Sequence, residues 1–281
     1  MTVPVRPIPN LLSIAGTDPT GGAGVQADLK SFAAFETYGM CVITALVAQN
    51  TQGVRQIHVP DLQFLRAQLE SVSEDVAMDA VKTGMLGTGG IIRTIADWWD
   101  GLVRQPTLVV DPVMVATSGD RLLETEAEEE LIGFLHRADL ITPNVPELAL
   151  LAGEEPASER AVLTNQARRV ADAHGVTVLA KGGHLSTESA EVEDVLVSPV
   201  DDAGRRPPEQ RFGSPRIATR NTHGTGCSVS AALAALSARG WNWEEAVPTV
   251  KEWMTAALRG SEVLEVGRGH GPVHHFAQMW R

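Results

Sequence analysis

Apolar residues fall along this chain in short blocks separated by longer stretches with helical spacing. Residues 11–15 form an apolar-rich run that stops at Gly16 and read as a buried strand. Gly21 to Gly24 then lead into a helical pattern over 25–35. A second β-rich run covers 42–48, and Leu62, Leu65, Leu69 and Val72 mark a helix over 61–72. Residues 80–85 read as a strand leaving into a loop, 91–99 as a helix, and 107–110 as a strand ending at Asp111-Pro112. An acidic helix is expected over 124–136 and a strand over 140–142, followed by Pro143-Asn144. Helices around 146–151 and 165–174 precede a strand at 176–180 that ends at Lys181-Gly182-Gly183. Two further strands, 194–198 and 212–218, flank the polar segment 201–211. Its Pro207-Pro208 and several charges predict a mobile solvent loop. An alanine-rich helix runs from 228 to 238.

Strand and helix alternate over most of the length. This predicts an α/β fold: a doubly wound, mainly parallel central sheet with helices on both faces. No internal repeat, low-complexity tract or linker divides the chain. The expectation is therefore one domain over 1–281, with 1–10 as a flexible N-terminal extension. Ligands of such sheets bind outside the carboxyl ends of the strands. Asp18, Asp111, Asn144 with Glu147, and Lys181 all fall there.

Charge narrows the partners. The 281 residues carry a formal net charge of −12, which argues against nucleic acid or an anionic membrane, since both call for a basic surface. A small anionic substrate needs only a local positive pocket. No apolar run reaches the ~18 residues of a membrane span, and the first ten residues, with three prolines and no apolar core, do not read as a secretory signal. Cys41 lies in an apolar stretch and Cys227 in a glycine loop. A disulfide between them is not expected, and a reducing cytoplasm is the simpler setting.

The richest stretch is Thr219-Arg220-Asn221-Thr222-His223-Gly224-Thr225-Gly226-Cys227, just before the alanine-rich helix. The first N–H groups of a helix lack internal partners and carry the positive end of its dipole. Gly224 and Gly226 let that backbone approach an anion, so phosphate is the natural guest. A thiol at this position is expected to favour its thiolate, as a base or nucleophile. An ordinary glycine turn capping a core helix remains the alternative. The segment from Gly16 to Gly24 offers only a loose dinucleotide fingerprint, and no Gly-Lys-Ser/Thr follows to make a P-loop. Asp111 at a strand's carboxyl end suits a metal. Asn144 and Glu147 can face one point, and sparse oxygen ligands suit Mg²⁺; the same pair also reads as a capping box. Lys181 can reach phosphate as a point charge, or be a solvated lysine before a turn. His184, His58, His136 and His174 have no paired ligands, and His270, His274 and His275 lack a second arm for zinc. Together the signals describe phosphoryl transfer.

The chain resembles the hydroxymethylpyrimidine/phosphomethylpyrimidine kinases of thiamine biosynthesis, within the ribokinase-like superfamily, from Ile14 to about Phe276. The resemblance rests on the run from Ala15 to Asp28, Thr44 to Thr51, Lys82-Thr83-Gly84-Met85-Leu86, and Asp111-Pro112-Val113-Met114. Thr142 to Glu147, Lys181-Gly182-Gly183-His184, the Thr222–Cys227 loop and Gly269 to His275 complete it. It implies that Gln49 recognises the pyrimidine's ring nitrogen and amino group. Gly16, Asp28, Val47 and Met85 would complete that pocket. Asp111 and Glu147 would act on Mg²⁺, with Asn144 beside them. Lys181 would contact ATP phosphate, with Thr222 among the nucleotide contacts, and Gly224, Thr225 and Gly226 would form the anion hole. Cys227 would accept the substrate's proton, where related sugar kinases carry aspartate. Residues 113–123 would be a flap. A homodimer is also implied. Arg268 and the charged 201–211 loop depart from the pattern without touching the chemistry. Pyridoxal kinase is the alternative activity, and a silent pyrimidine- or nucleotide-binding relative the third reading.

Overall fold

The structure is a computed structural model, and it describes residues 6–114, 123–185 and 189–280. The chain opens with β1 (Asn10–Ala15), α1 (Gly24–Ala34), β2 (Tyr38–Ile43), β3 (Leu46–Asn50), β4 (Gly53–His58) and α2 (Leu62–Ser73). It continues through β5 (Ala80–Thr83), α3 (Gly89–Asp100), β6 (Thr107–Val110), α4 (Glu128–Phe134), β7 (Leu140–Ile141) and α5 (Val145–Ala152). Then come α6 (Arg160–His174), β8 (Thr177–Lys181), β9 (Glu191–Val197), β10 (Gln210–Pro215), α7 (Thr225–Ala238) and α8 (Trp243–Arg259).

Eight strands build one sheet in the order β10-β9-β8-β7-β6-β5-β1-β2. β2, β1, β5, β6, β7 and β8 run parallel, while β9 and β10 form an antiparallel hairpin at one edge. Adjacent residues on the strands enter opposite cores. Leu12, Val81, Val110, Ile141 and Val178 pack on one face, among residues of α2 to α6. Leu11, Ala80, Val109, Leu140 and Leu179 pack on the other, under α1, α7 and α8. Burial on both faces explains why these strands read as continuous apolar runs. A side chain such as Phe32, fully enclosed between α1 and the sheet, contributes roughly 1.5–3 kcal/mol by its removal from water. Among the described residues no helix is long and apolar enough to cross a membrane.

Local chemistry sets the helix starts. Asp61 caps α2 by accepting from the Phe64 amide at 2.8 Å, and Asn242 caps α8 by accepting from Glu245 at 2.9 Å. The alternation of strand and helix has the expected form, with three differences. The 42–48 run is not one strand: it breaks at Thr44-Ala45, and its second half joins β4 in a separate two-stranded sheet. The polar, half-exposed β4 carries no apolar signal of its own. α8 was not anticipated either, because Pro248 interrupts its pattern. The 201–211 segment is exposed as expected but fastened. Arg206 pairs with Asp172 of α6 and donates to the Ser198 carbonyl at 2.6 Å, and Arg168 pairs with Glu209.

Candidate active site

The parallel strands deliver their carboxyl ends to one edge, and the chemistry gathers there. β6 ends at Asp111, whose side chain is nearly enclosed. Its Oδ1 accepts from Lys181 Nζ at 3.1 Å and from Thr142 Oγ1 at 3.0 Å. Burial alone would raise this carboxyl, but the ammoniums of Lys181 and Lys82 hold it below the usual range. Burial opposes the charge on Lys181 too, and Asp111 with Glu147 more than offsets that. Lys181 closes β8, its amide donating to the Pro143 carbonyl at 2.9 Å. Asp194 Oδ1 accepts from Gly182 N at 3.0 Å, and Lys251 pairs with the same carboxylate. The turn that carries Lys181 is therefore fixed from behind.

Asn144 and Glu147 form the capping box of α5. Asn144 Oδ1 accepts from Glu147 N at 2.9 Å, and Glu147 Oε2 accepts from Asn144 N at 2.8 Å. Burial pushes the Glu147 carboxyl up to about 7 against the pull of Lys181, and Asp111 adds to the rise. The capping and ligand roles are compatible, since one carboxylate oxygen serves the cap. A side-chain Cβ added at Gly226 would stand 3.3 Å from Lys181 Nζ and 3.6 Å from Asp111 Oδ2. The absence of a side chain there leaves room beside these charges. Among the described residues no three His, Cys, Asp or Glu side chains gather as metal ligands. One or two carboxylates completed by water and phosphate is the donor set that Mg²⁺ accepts, so Asp111 and Glu147 fit that ion.

Helix α7 aims its N-terminus at the same point. Gly224 caps it with φ +83°, and a Cβ at Gly224 would run into the Gly22 carbonyl. Only glycine permits both the conformation and the approach. Thr225 N donates to Thr222 O at 3.3 Å, which tightens the turn before Gly226 and Cys227. Ser228 Oγ donates to Gly224 O at 2.7 Å and lies 2.8 Å from His275 Nε2. The C-terminal segment thereby braces the first turn. Burial pushes the Cys227 thiol up to about 11; the Lys82 ammonium opposes this, while Asp28 and Asp111 add to it. The expectation of a favoured thiolate is corrected: desolvation and two carboxylates outweigh Lys82, so the thiol holds its proton at neutral pH. Cys41 and Cys227 are both free.

Three of the expected pyrimidine-pocket residues, Gly16, Val47 and Met85, gather at the next carboxyl ends. Gly16 ends β1 against Met85, whose Cε occupies the space a Cβ would need. Val47 N donates to Thr17 Oγ1 at 3.0 Å, and Gln49 lies two residues further along β3, where its pairing with β4 slips. Asp28 behaves differently. It is fully enclosed, with both oxygens 2.9 Å from Lys82 Nζ and Oδ2 accepting from Ser13 at 2.6 Å. Its hydrogen bonds are made within the protein, to Lys82 and Ser13. Sequence reasoning passed over Lys82, although a lysine inside the buried strand Ala80-Val81-Lys82-Thr83 signals an enclosed partner. It also gave no role to His223, whose Nε2 lies 2.8 Å from Asp18 Oδ2. Residues 115–122 of the expected flap lie outside the described residues. A polar cleft of about 420 Å³, edged by Arg220, Asn221, Glu262 and Arg268, opens beside the Thr222–Cys227 loop.

A doubly wound sheet with this charged edge and this helix N-terminus defines a kinase of the ribokinase-like fold. The chain belongs to the phosphomethylpyrimidine kinase family, whose profile matches residues 18–274. It is 47% identical over 274 residues to the hydroxymethylpyrimidine/phosphomethylpyrimidine kinase of Salmonella typhimurium, covering 96% of this chain and 98% of that protein. It is 50% identical over 269 residues to the thiamine biosynthesis multifunctional protein ThiED of Corynebacterium efficiens, covering 96% of this chain. The match spans only 35% of that longer protein. Among solved structures, an ADP complex of Bacillus subtilis pyridoxal kinase superimposes with a TM-score of 0.85 at 33% identity, covering 98% of this chain and 100% of that one.

Proposed function

We propose that this chain, as one kinase domain, phosphorylates 4-amino-5-hydroxymethyl-2-methylpyrimidine and then its monophosphate in thiamine biosynthesis. ATP is the donor and Mg²⁺ the cofactor. The observation that supports the reading is the Lys181–Asp111 pair beside Gly226 at the N-terminus of α7, whose Gly224 packs on the Gly22 carbonyl of the loop that follows Gly16. Phosphoryl transfer demands mainly positioning and charge stabilisation, and these are the services such residues supply. Lys181 and the amides heading α7 bind the phosphates, with Asn144 and Thr222 beside them. Asp111 and Glu147 hold Mg²⁺, which when bound neutralises phosphate charge. The substrate's hydroxymethyl oxygen forms a bond to the γ-phosphorus as the bond to the β-phosphate oxygen breaks, and ADP leaves. The hydroxyl proton goes to Cys227 Sγ, which acts through its small thiolate fraction.

The exposed apolar side chains of Leu46, Ile57, Val59, Leu62 and Phe64, on β3, β4 and the start of α2, support a homodimer through that face. Two free cysteines support a cytoplasmic setting. Pyridoxal kinase is the second reading, favoured by the likeness to the Bacillus subtilis enzyme. The higher identity to the pyrimidine kinase and the presence of Gln49 weigh against it. An ADP-release assay with Mg-ATP, offering hydroxymethylpyrimidine, its monophosphate and pyridoxal side by side, decides the matter. Turnover of both pyrimidines above pyridoxal is expected. Preference for pyridoxal would move the protein to vitamin B6 salvage, and silence with all three would leave a binding protein.

A further inference from the structure

Two charged side chains that take no part in the proposed transfer are nearly enclosed and paired with each other: Asp194 of β9 and Lys251 of α8. Asp194 Oδ1 accepts from Gly182 N at 3.0 Å, and its Oδ2 accepts from Lys251 Nζ. A buried ion pair is weak ground for stability, because desolvation offsets most of the attraction. What the pair holds in place is more informative, and Gly182 directly follows Lys181.

The backbone shows why a carboxylate serves there. β8 and β9 run antiparallel, and Lys181 opposite Asp194 is the last pair along β8. Beyond it the chain leaves the ladder for the tight turn Gly182–His184. Gly182 packs so closely on β9 that a Cβ would stand 2.0 Å from the Glu193 carbonyl oxygen. The Asp194 side chain takes the Gly182 amide at that exit. On the other side of Lys181, its own amide donates to Pro143 O at 2.9 Å. Both peptide groups that flank the Lys181 Cα are thus tied down, one to β9 and one to the residue before the Asn144 cap. From this base the side chain reaches Asp111 Oδ1 at 3.1 Å.

We propose that Asp194 and Lys251 are positioning residues for Lys181. The carboxylate fixes the peptide that follows Lys181, and the ammonium keeps that carboxylate charged and in place. The inference rests on the phosphate-binding role given to Lys181 in the reading above. An enclosed carboxylate deprived of its ammonium would draw in water or take up a proton. The Gly182 amide would then lose a charged acceptor, the stronger kind. A displacement of about 1 Å at Lys181 would cost rate, since phosphoryl transfer depends on placement. Through Lys251, helix α8 thereby helps to set where the phosphate-binding ammonium stands.

The test is a double-mutant cycle on kcat, with Mg-ATP and 4-amino-5-hydroxymethyl-2-methylpyrimidine. Lys251→Met should lower kcat at least about tenfold with little change in the KM for the pyrimidine, and Lys251→Arg should restore most of the loss. In a Lys181→Met background the same Lys251→Met change should alter kcat less than about twofold, because no ammonium is left to place. Asp194→Asn runs the same cycle should Lys251→Met fail to fold. An unchanged kcat, or equal losses in both backgrounds, would overturn the proposal and leave the pair a structural feature. Amide hydrogen exchange supplies a readout that needs no turnover. Gly182 N–H should be protected in the wild type, and either variant should speed its exchange while the amides of β1 and β5 keep their protection. Fast exchange of Gly182 in the wild type, or equal speeding across the sheet, would overturn the proposal. Silence of the wild type toward the pyrimidine, with Gly182 responding as stated, would sink the kinase reading and leave the brace on Lys181 standing.

Discussion

Lys181 Nζ lies 3.1 Å from Asp111 Oδ1, although 70 positions of chain separate the two residues. Each keeps the other ionised in a site where burial favours neutrality. Lys181→Met should therefore harm catalysis in two ways, by removing the proposed phosphate contact and by loosening the carboxylate expected to hold Mg²⁺. A fall in kcat of about 10²–10³ is expected, the scale of losing one transition-state donor. Steady-state kinetics at saturating Mg-ATP would measure it, and a change confined to the KM for ATP would assign Lys181 to uniform binding alone.

Cys227 yields a prediction in pH. With a thiol near 11, only about one molecule in a thousand carries thiolate at pH 8. If that fraction is the base, log kcat should climb about one unit per pH unit from 7 to 9. Alkylation by iodoacetamide in a Cys41→Ser background should rise in parallel without levelling off. A flat kcat beside rising alkylation would remove the base from Cys227 and give the proton to the phosphoryl oxygens.

The enclosed Lys82–Asp28 pair predicts an asymmetry in stability. Lys82→Met strands a carboxylate in the core and should cost about 3–5 kcal/mol, whereas Lys82→Met combined with Asp28→Leu should recover most of the loss. Urea unfolding of the three proteins measures this. A double variant no more stable than the single one would show that the pair is required for packing.

His275 carries an acid-stability signature. Burial lowers its imidazole to about 3, with Lys30 and His274 adding to the effect, while the unfolded chain's histidine titrates near ~6.5. Between those values the unfolded state binds the proton and the folded state does not. Stability thus falls as pH drops through this window, by up to about 1.4 kcal/mol per unit. His275→Asn should flatten that limb in thermal melts from pH 6.5 to 4. An unchanged slope would place the acid sensitivity elsewhere.

The sequence revealed most where burial is uniform. Strand 107–110 was legible to the residue, because a segment covered on both faces announces itself as Thr-Leu-Val-Val ending at Asp-Pro. β3 and β4 were not, since they pack against little and their pairing is set by turn geometry and a bulge. The charged site residues were legible as strand-end punctuation. What they bind inside the protein was not: the Asp28–Lys82 partnership spans 54 positions, and no local pattern encodes it. The protonation of Cys227 was misjudged for a related reason, since helix-end logic is local while desolvation depends on the whole fold.

The Asp18–His223 contact joins residues 205 positions apart, and His275 braces α7 from nearly the last stretch of chain. Closing such long loops of chain costs entropy, so these contacts form only once the sheet has drawn their ends together. The shape of the glycine loop and of the head of α7 is therefore a late product of folding, owed to the assembled sheet rather than to their own local sequence.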